Sequence, residues 1–263
     1  MTEITLCYQD ESMVVVDKPK GLLVHRTAID SQERRALVQV LRDQLGQYIY
    51  PVHRLDKPTS GLVVCALNKQ VARSLSEQFA QGNVSKVYRA IVRGHVTGIS
   101  RIEHPLRDEV DRRGNKLING TPREATTDVE VAKHWTVQLP VDRYPEGRYS
   151  SVYLRPHTGR FRQLRRHMKH CAHPIIGDVR YGKGTHNRFF ETALGFRRLW
   201  LHAHSLEFTH PETGLPLSVV APTSCDFVAC ESWFASFETD PDPGGLAANP
   251  DQHSTAVTGI LSP

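Results

Sequence analysis

The sequence predicts an α+β fold in which strands dominate. Three observations carry this. Short β-branched or alternating runs recur along the chain, at residues 4–8, 13–16, 62–67, 86–94, 124–135, 151–154, 199–208 and 217–220. Four stretches, 33–45, 69–81, 161–171 and 225–237, carry the helical signals. And 39% of the 263 residues are hydrophobic, enough for a sizeable core.

The elements follow in order. Ile4-Thr5-Leu6-Cys7-Tyr8 and Met13-Val14-Val15-Val16 read as two strands joined by a turn at Gln9–Ser12. Pro19 and Gly21 then fix a sharp turn with Lys18 and His25 near its ends. Leu37, Val40, Leu41 and Leu45 share a helix face. The stretch His53-Arg54-Leu55-Asp56-Lys57-Pro58-Thr59-Ser60-Gly61 sets one carboxylate among bases on a turn that feeds an apolar strand. Loops braced by rigid elements often carry reactive groups. On residue types alone, however, Asp56 better fits a turn aspartate bonding its own backbone.

Asn68 is placed to cap the next helix, with Val71, Leu75 and Phe79 on one face and Gly82 at its end. In the following strand Tyr88, Ala90 and Val92 share a face, and Tyr88 by itself reads as a core tyrosine. Residues 99–123 are polar and turn-rich, which predicts a mobile or RNA-facing insertion. Thr127, Val129 and Val131 line one face of the next strand. A loop at Arg143-Tyr144-Pro145 leads to Ser151–Leu154.

Then comes the most basic stretch. Arg155, Arg160, Arg162, Arg165, Arg166 and Lys169 occur between 155 and 169 without one acid. Exposed helix faces usually mix signs, so a phosphate-binding surface fits better. The charge balance agrees. Of 28 acidic residues, four (Glu238, Asp240, Asp242 and Asp251) follow residue 237, where there is no Lys or Arg. Residues 1–237 therefore hold 33 basic against 24 acidic side chains, a net +9. A body this basic points to a polyanion, most often nucleic acid. We read 1–237 as one domain and 238–263, poor in apolar residues, as a disordered tail.

Five cysteines without CxxC spacing, no signal peptide and no membrane-length apolar run predict a reduced, cytoplasmic protein. Three features suggest other chemistry and fail. Gly177–Thr185 nearly matches a nucleotide-binding loop, but Gly184 stands where the Ser or Thr after the lysine belongs. His167, His170 and His173 drift around a helix and lack a zinc pattern, so no metal is expected. A glycosidase needs two spaced carboxylates, and no spacing supplies them.

Six segments, in order, resemble the RluA-type pseudouridine synthases. These are Lys18-Pro19-x-Gly21-x-x-x-His25; His53-Arg54-Leu55-Asp56-x-x-Thr59-Ser60-Gly61; and Lys86-x-Tyr88-x-Ala90-x-Val92-x-Gly94. Thr158-Gly159-Arg160-x-x-Gln163-Leu164-Arg165-x-His167, His173-Pro174-Ile175-Ile176-Gly177-Asp178 and Leu201-His202-Ala203 complete the set. Within the family the chain is most similar to the branch without an added N-terminal RNA-binding domain, which modifies uridine 65 of certain tRNAs. Arg143-Tyr144-Pro145, Arg165-Arg166-His167 and Asn187-Arg188 carry that likeness. Arg162 departs from the family, which usually has His before Gln163, and His157 stands where Lys is common.

The resemblance implies a mixed, mostly antiparallel sheet bent into two halves, with flanking helices and a central RNA-binding cleft. It implies isomerisation of a tRNA uridine without metal, redox cofactor or nucleotide, and we expect a monomer. It assigns catalysis to Asp56, Tyr88 and Arg165. It assigns RNA contacts to Lys18, His25, His53, Arg54, Arg143, Arg160, Arg162, Arg166, His167 and Arg188. The rival readings are the same chemistry on ribosomal RNA, and a non-catalytic RNA-binding or chaperone protein that needs the arginines but not Asp56.

Overall fold

The computed structural model describes residues 3–25, 35–107, 109 and 120–238. The expected disordered tail, apart from Glu238, and residues 108 and 110–119 of the polar insertion lie outside the described residues.

The strands are β1 (Thr5–Gln9), β2 (Met13–Lys18), β3 (Tyr50–Pro51), β4 (Ser60–Ala66), β5 (Ser85–Arg93), β6 (Arg101–Glu103), β7 (Leu106–Arg107), β8 (Pro122–Arg123), β9 (Thr126–Val137), β10 (Gly147–Pro156), β11 (Leu201–Thr209) and β12 (Pro216–Val220). The helices are α1 (Leu37–Leu45), α2 (Lys69–Gln81), α3 (Gln163–His170), α4 (Gly184–Leu194) and α5 (Cys225–Ala235). Ten strands form one open sheet in the order β1-β2-β4-β11-β5-β10-β9-β6, with β3 on β4 and β12 on β11. β7 and β8 pair separately. The expected α+β, mostly antiparallel fold is present.

Among the described pairs only β4 and β11 run parallel, with His202 opposite Ser60 and Ala203 opposite Gly61. This seam sits in the middle of the sheet, directly after the Asp56 turn. Gly61 makes it possible. Its φ is +110°, and a Cβ there would overlap the Ala203 backbone. Only glycine meets both conditions without strain.

The core follows the strand patterns. β4 is buried along its whole length, because apolar clusters cover both its faces. Leu62 and Val64 pack with Val71 and Leu75 of α2 on one side. Val63 and Cys65 pack with Leu37 and Leu41 of α1 on the other. A third cluster gathers Val92, Val152 and Leu154 with Met168 of α3, Phe190 of α4 and Phe234 of α5. Tyr88 packs against two of these clusters, at the point where they meet.

Local chemistry sets the helix ends. Asn68 Oδ1 accepts from the Val71 N–H at 2.9 Å, the expected cap of α2, and Gly82 closes it at φ +80°. The helices differ from expectation in several places. α1 starts at Leu37 rather than 33, after an extended Ala36, and α5 ends at Ala235 rather than 237. α3 starts at Gln163 rather than 161, because Arg162 adopts a left-handed conformation. α4 falls in a segment for which no helix was expected. It opens Gly184-Thr185-His186-Asn187, which are weak helix formers. It is held instead by burial of His186 and Phe190. No helix among the described residues is long and apolar enough to cross a membrane.

Candidate active site

The Asp56 turn is held from three sides. Thr59 N–H bonds the Asp56 carbonyl at 3.0 Å, which closes the turn. Gly21 N–H donates to the Lys57 carbonyl at 2.9 Å, tying the Pro19–Gly21 turn to it. Lys18 lies beneath both. Its ammonium is fully buried and donates to the Pro19 and Leu22 carbonyls at 2.8 Å and to Lys57 O at 3.4 Å. Burial pulls this ammonium down to about 7, against the pull of Asp17 and Asp56. Expected as an RNA contact, Lys18 is a brace inside the loop.

His53 is also turned inward. Its Nε2 accepts from the Val64 N–H at 3.0 Å, and its ring stacks on Phe79. Burial, with Lys86 nearby, pushes it down to about 3, so it is neutral and fixes the approach to the turn. Ser60 anchors the other side. Its hydroxyl contacts His202 Nδ1 at 2.9 Å and accepts from Arg198 Nη2 at 2.8 Å. Arg198 in turn donates to Asp226 of α5 at 2.9 Å.

The Asp56 carboxylate meets two arginines. Arg165 Nη1 donates to Oδ2 at 2.7 Å, and Arg162 Nε stands 3.8 Å from the same oxygen. Arg165 is itself held by Asp178. Its Nε and Nη2 donate to the two carboxylate oxygens at 2.7 and 2.9 Å, a bidentate pair. The side chains of Arg165 and Asp178 are 5% and 1% exposed, so both charges must be paired. Burial opposes ionisation of Asp178, yet hydrogen bonds from Arg165 and the Tyr181 and Arg180 amides hold its carboxyl below the usual range. At Arg165 burial is outweighed by Asp178 first and Asp56 second, which raise its guanidinium.

The loop that carries Asp178 is equally constrained. Asn187 of α4 accepts from Gly177 N–H at 2.7 Å and donates to the Asp178 carbonyl at 3.0 Å. Gly177 lies at φ +77°, where a Cβ would overlap the Arg198 carbonyl. A cavity of about 240 Å³ opens here, lined by Lys20, Pro58, Arg165, Asp178, Arg197 and Leu199.

Tyr88 projects from β5 beside this group. Burial pushes its phenol up to about 12, and the negative charge of Asp56 adds to that. It is therefore a neutral hydroxyl on an aromatic ring at neutral pH. Together the carboxylate, the paired guanidinium and the neutral phenol can place one fixed negative charge against a ring-bearing substrate.

The other expected contacts scatter. His167 is fully buried, with Nδ1 on Thr127 Oγ1 at 3.0 Å and Nε2 on the His104 carbonyl at 3.1 Å, so it docks α3 against β9. It is out of reach of a surface phosphate. Arg160 donates to the Glu124 carbonyl at 2.8 Å, and Arg166 pairs with Glu109 at 3.5 Å. His25, Arg54, Arg143 and Arg188 are exposed. Asp178, Ser60, Asn187 and Arg198 were not singled out as site residues. For Asp178 the available signal was a carboxylate directly after the apolar run Ile175-Ile176 and Gly177.

Comparison with known proteins agrees in family and fold. A family model described as RNA pseudouridylate synthase matches residues 12–170. The chain is 47% identical over 223 residues to a protein of Pasteurella multocida (strain Pm70) named tRNA pseudouridine synthase C, spanning 83% of this chain and 90% of that one. The protein of the same name from Haemophilus influenzae is 45% identical over 220 residues, spanning 83% and 92%. The solved structure of human RNA Pseudouridylate Synthase Domain Containing 1 superposes with a TM-score of 0.64 at 28% identity, covering 84% of this chain and 83% of that one. A buried Arg–Asp clamp aimed at one loop carboxylate is thus the local structure of a chain that belongs to the RNA pseudouridylate synthases, in their RluA family.

Proposed function

We propose that this protein converts one uridine of tRNA, uridine 65, to pseudouridine, with Asp56 as the essential group. The observation that carries the reading is the Arg165 Nη1 contact to Asp56 Oδ2 at 2.7 Å. A cation so placed holds the carboxylate in one orientation through a charge-assisted hydrogen bond. The choice of tRNA rests on the relatives named tRNA pseudouridine synthase C.

The reaction breaks the N1–C1′ bond, turns the base and joins C5 to C1′; the proton leaves C5 and N1 gains one. It is an isomerisation, so atoms and electrons balance without nucleotide, metal or redox partner. The uridine first leaves its stack, at a cost of about a few kcal/mol. Arginine and lysine contacts to phosphates offset that cost. Arg54, exposed beside the turn, is suited to fill the space the base leaves. Ionised Asp56 then attacks C1′ or removes a ribose proton. Tyr88 offers its ring to the uracil. With its phenol at about 12, it works as an aromatic surface with a hydrogen-bonding tip rather than as a resting base. Arg143, Arg160, Arg166 and Arg188 provide phosphate contacts in this reading. The protein acts as a monomer in the cytoplasm.

Mapping pseudouridine by mass spectrometry after cyanoethylation, in cells lacking the protein, tests this. Loss at one tRNA position, restored by wild type and not by Asp56→Asn, is the expected result. Loss confined to ribosomal RNA overturns the substrate. No loss in any RNA overturns the enzyme reading in favour of a non-catalytic RNA-binding protein.

A further inference from the structure

Arg162 holds an unusual place at this site. Its backbone is left-handed, at φ 53° and ψ 33°, which non-glycine residues avoid. Buried Gln163 imposes the turn. Its Oε1 accepts from Thr158 Oγ1 at 2.7 Å and from Arg160 N–H at 3.0 Å, while its Nε2 donates to Thr126 O at 2.9 Å. Strain of this kind persists where the surroundings over-determine it, and it gathers at functional sites.

The guanidinium meets the Tyr181 hydroxyl but keeps one donor open. It lies 4.5 Å over the Phe161 ring, which fixes its plane. Its Nε, 3.8 Å from Asp56 Oδ2, is too far for a hydrogen bond. That Nε–H is buried and meets no acceptor among the described residues. The neighbouring cations differ. Arg165 uses both edges on Asp178 and Asp56, Arg160 bonds a carbonyl, and Arg166 faces Glu109. Among these described cations, Arg162 is the one beside Asp56 whose Nε–H meets no acceptor.

We propose that Arg162 binds a phosphate flanking the target nucleotide and so sets the attached ribose with C1′ facing Asp56. This rests on the reading of the chain as a pseudouridine synthase. Within a nucleotide the sugar alone separates C1′ from its phosphates, so a fork standing next to the reactive carboxylate reaches the phosphate when the sugar lies over that carboxylate. A planar guanidinium matches phosphate oxygens two at a time. Phosphate contacts of this kind fix register and orientation. The residue is a positioning residue, not a reacting one.

The test is a double cycle. One partner is Arg162→Gly, which suits the positive φ and retains the turn; Arg162→Lys keeps the charge without the fork. The other is tRNA carrying a methylphosphonate on the 5′ or the 3′ side of the mapped uridine. Wild type is expected to lose about tenfold in kcat/KM on one of the two neutralised substrates. Arg162→Gly is expected to be about tenfold slower on natural tRNA and to lose nothing further on that methylphosphonate. The salt slope of its tRNA binding is expected to fall by about one. Arg162→Lys should recover the slope but not the full rate. Equal penalties from methylphosphonate in wild type and Arg162→Gly would overturn the proposal. So would an unchanged salt slope in Arg162→Gly, which would assign Arg162 to Asp56 alone. If wild type forms no pseudouridine in any tRNA, the underlying reading fails, a result distinct from either.

Discussion

Asp178 holds the Nε–Nη2 edge of Arg165 with two parallel hydrogen bonds, at 2.7 and 2.9 Å, and leaves Nη1 to face Asp56. The guanidinium cannot swing or present a second edge to the reactive carboxylate. Arg165→Lys keeps the charge but cannot bond both acids in this geometry. A loss of about 100-fold or more in kcat is expected, with KM for tRNA within about threefold, because preorganised charge acts on the transition state. Single-turnover assays with separate binding titrations check this; a KM effect alone would contradict it.

Asp178→Asn tests the other half of the clamp. The amide accepts on one side only, so Arg165 loses one bond of its edge. A stability loss of about 1–3 kcal/mol is expected for the unmet donor. Turnover per folded molecule should fall by about 10- to 100-fold. Urea unfolding and active-site-normalised rates measure the two separately.

Gly61→Ala should be severely destabilised. The new Cβ would overlap the Ala203 backbone, and the residue would have to hold a φ of +110°. The parallel seam between β4 and β11 must then open. A loss above about 3 kcal/mol is expected, measured by denaturant unfolding of whatever soluble protein is recovered. A near-neutral effect would mean that the seam can shift.

Acid should destabilise the fold before the carboxylates titrate. Burial lowers His53 and His202 to about 3 and His186 to about 4. Their unfolded forms take up a proton near pH 6.5, so between that value and the folded ones the unfolded state binds more protons. Stability contributed by the neutral rings is therefore whole above pH 6.5 and lost as pH falls. In His53→Gln, which keeps an acceptor for Val64 N–H, the fall between pH 6.5 and 5 should be shallower by up to about 1.4 kcal/mol per pH unit. Urea titrations at half-unit steps resolve this.

Tyr88→Phe keeps the ring and removes the polar tip. Its KM for tRNA should stay within about threefold of wild type, with kcat reduced. Tyr88→Leu should lower kcat by at least about tenfold further, as stacking is lost. Because the phenol titrates at about 12, the wild-type rate should show no basic limb from Tyr88 below pH 10. A limb near pH 8 that vanishes in Tyr88→Phe would contradict the neutral-phenol role.

Much of the fold was legible along the chain because periodicity reports burial. Val63 and Cys65 alternate with Leu62 and Val64, and the two sets do face opposite clusters. Asn68 and Gly82 bound α2 because their chemistry is local. α4 was not legible, since its helix is held by Phe190 and His186 packing into distant elements rather than by its own residues. Lys18 and His167 look like surface cations in sequence. Only folding shows that one ammonium bonds three carbonyls and that one imidazole is locked between Thr127 and His104.

The sequence by itself determined most of the elements, the basic body and the motif loops, because these depend on residues close in the chain. The tertiary structure alone decided the partners. Arg165 and Asp56 are 109 residues apart, and Ser60 and Arg198 are 138 apart. Which buried charge meets which acceptor is fixed by the sheet that brings those loops together. A side chain's charge and pKa follow from that meeting, not from its neighbours in sequence.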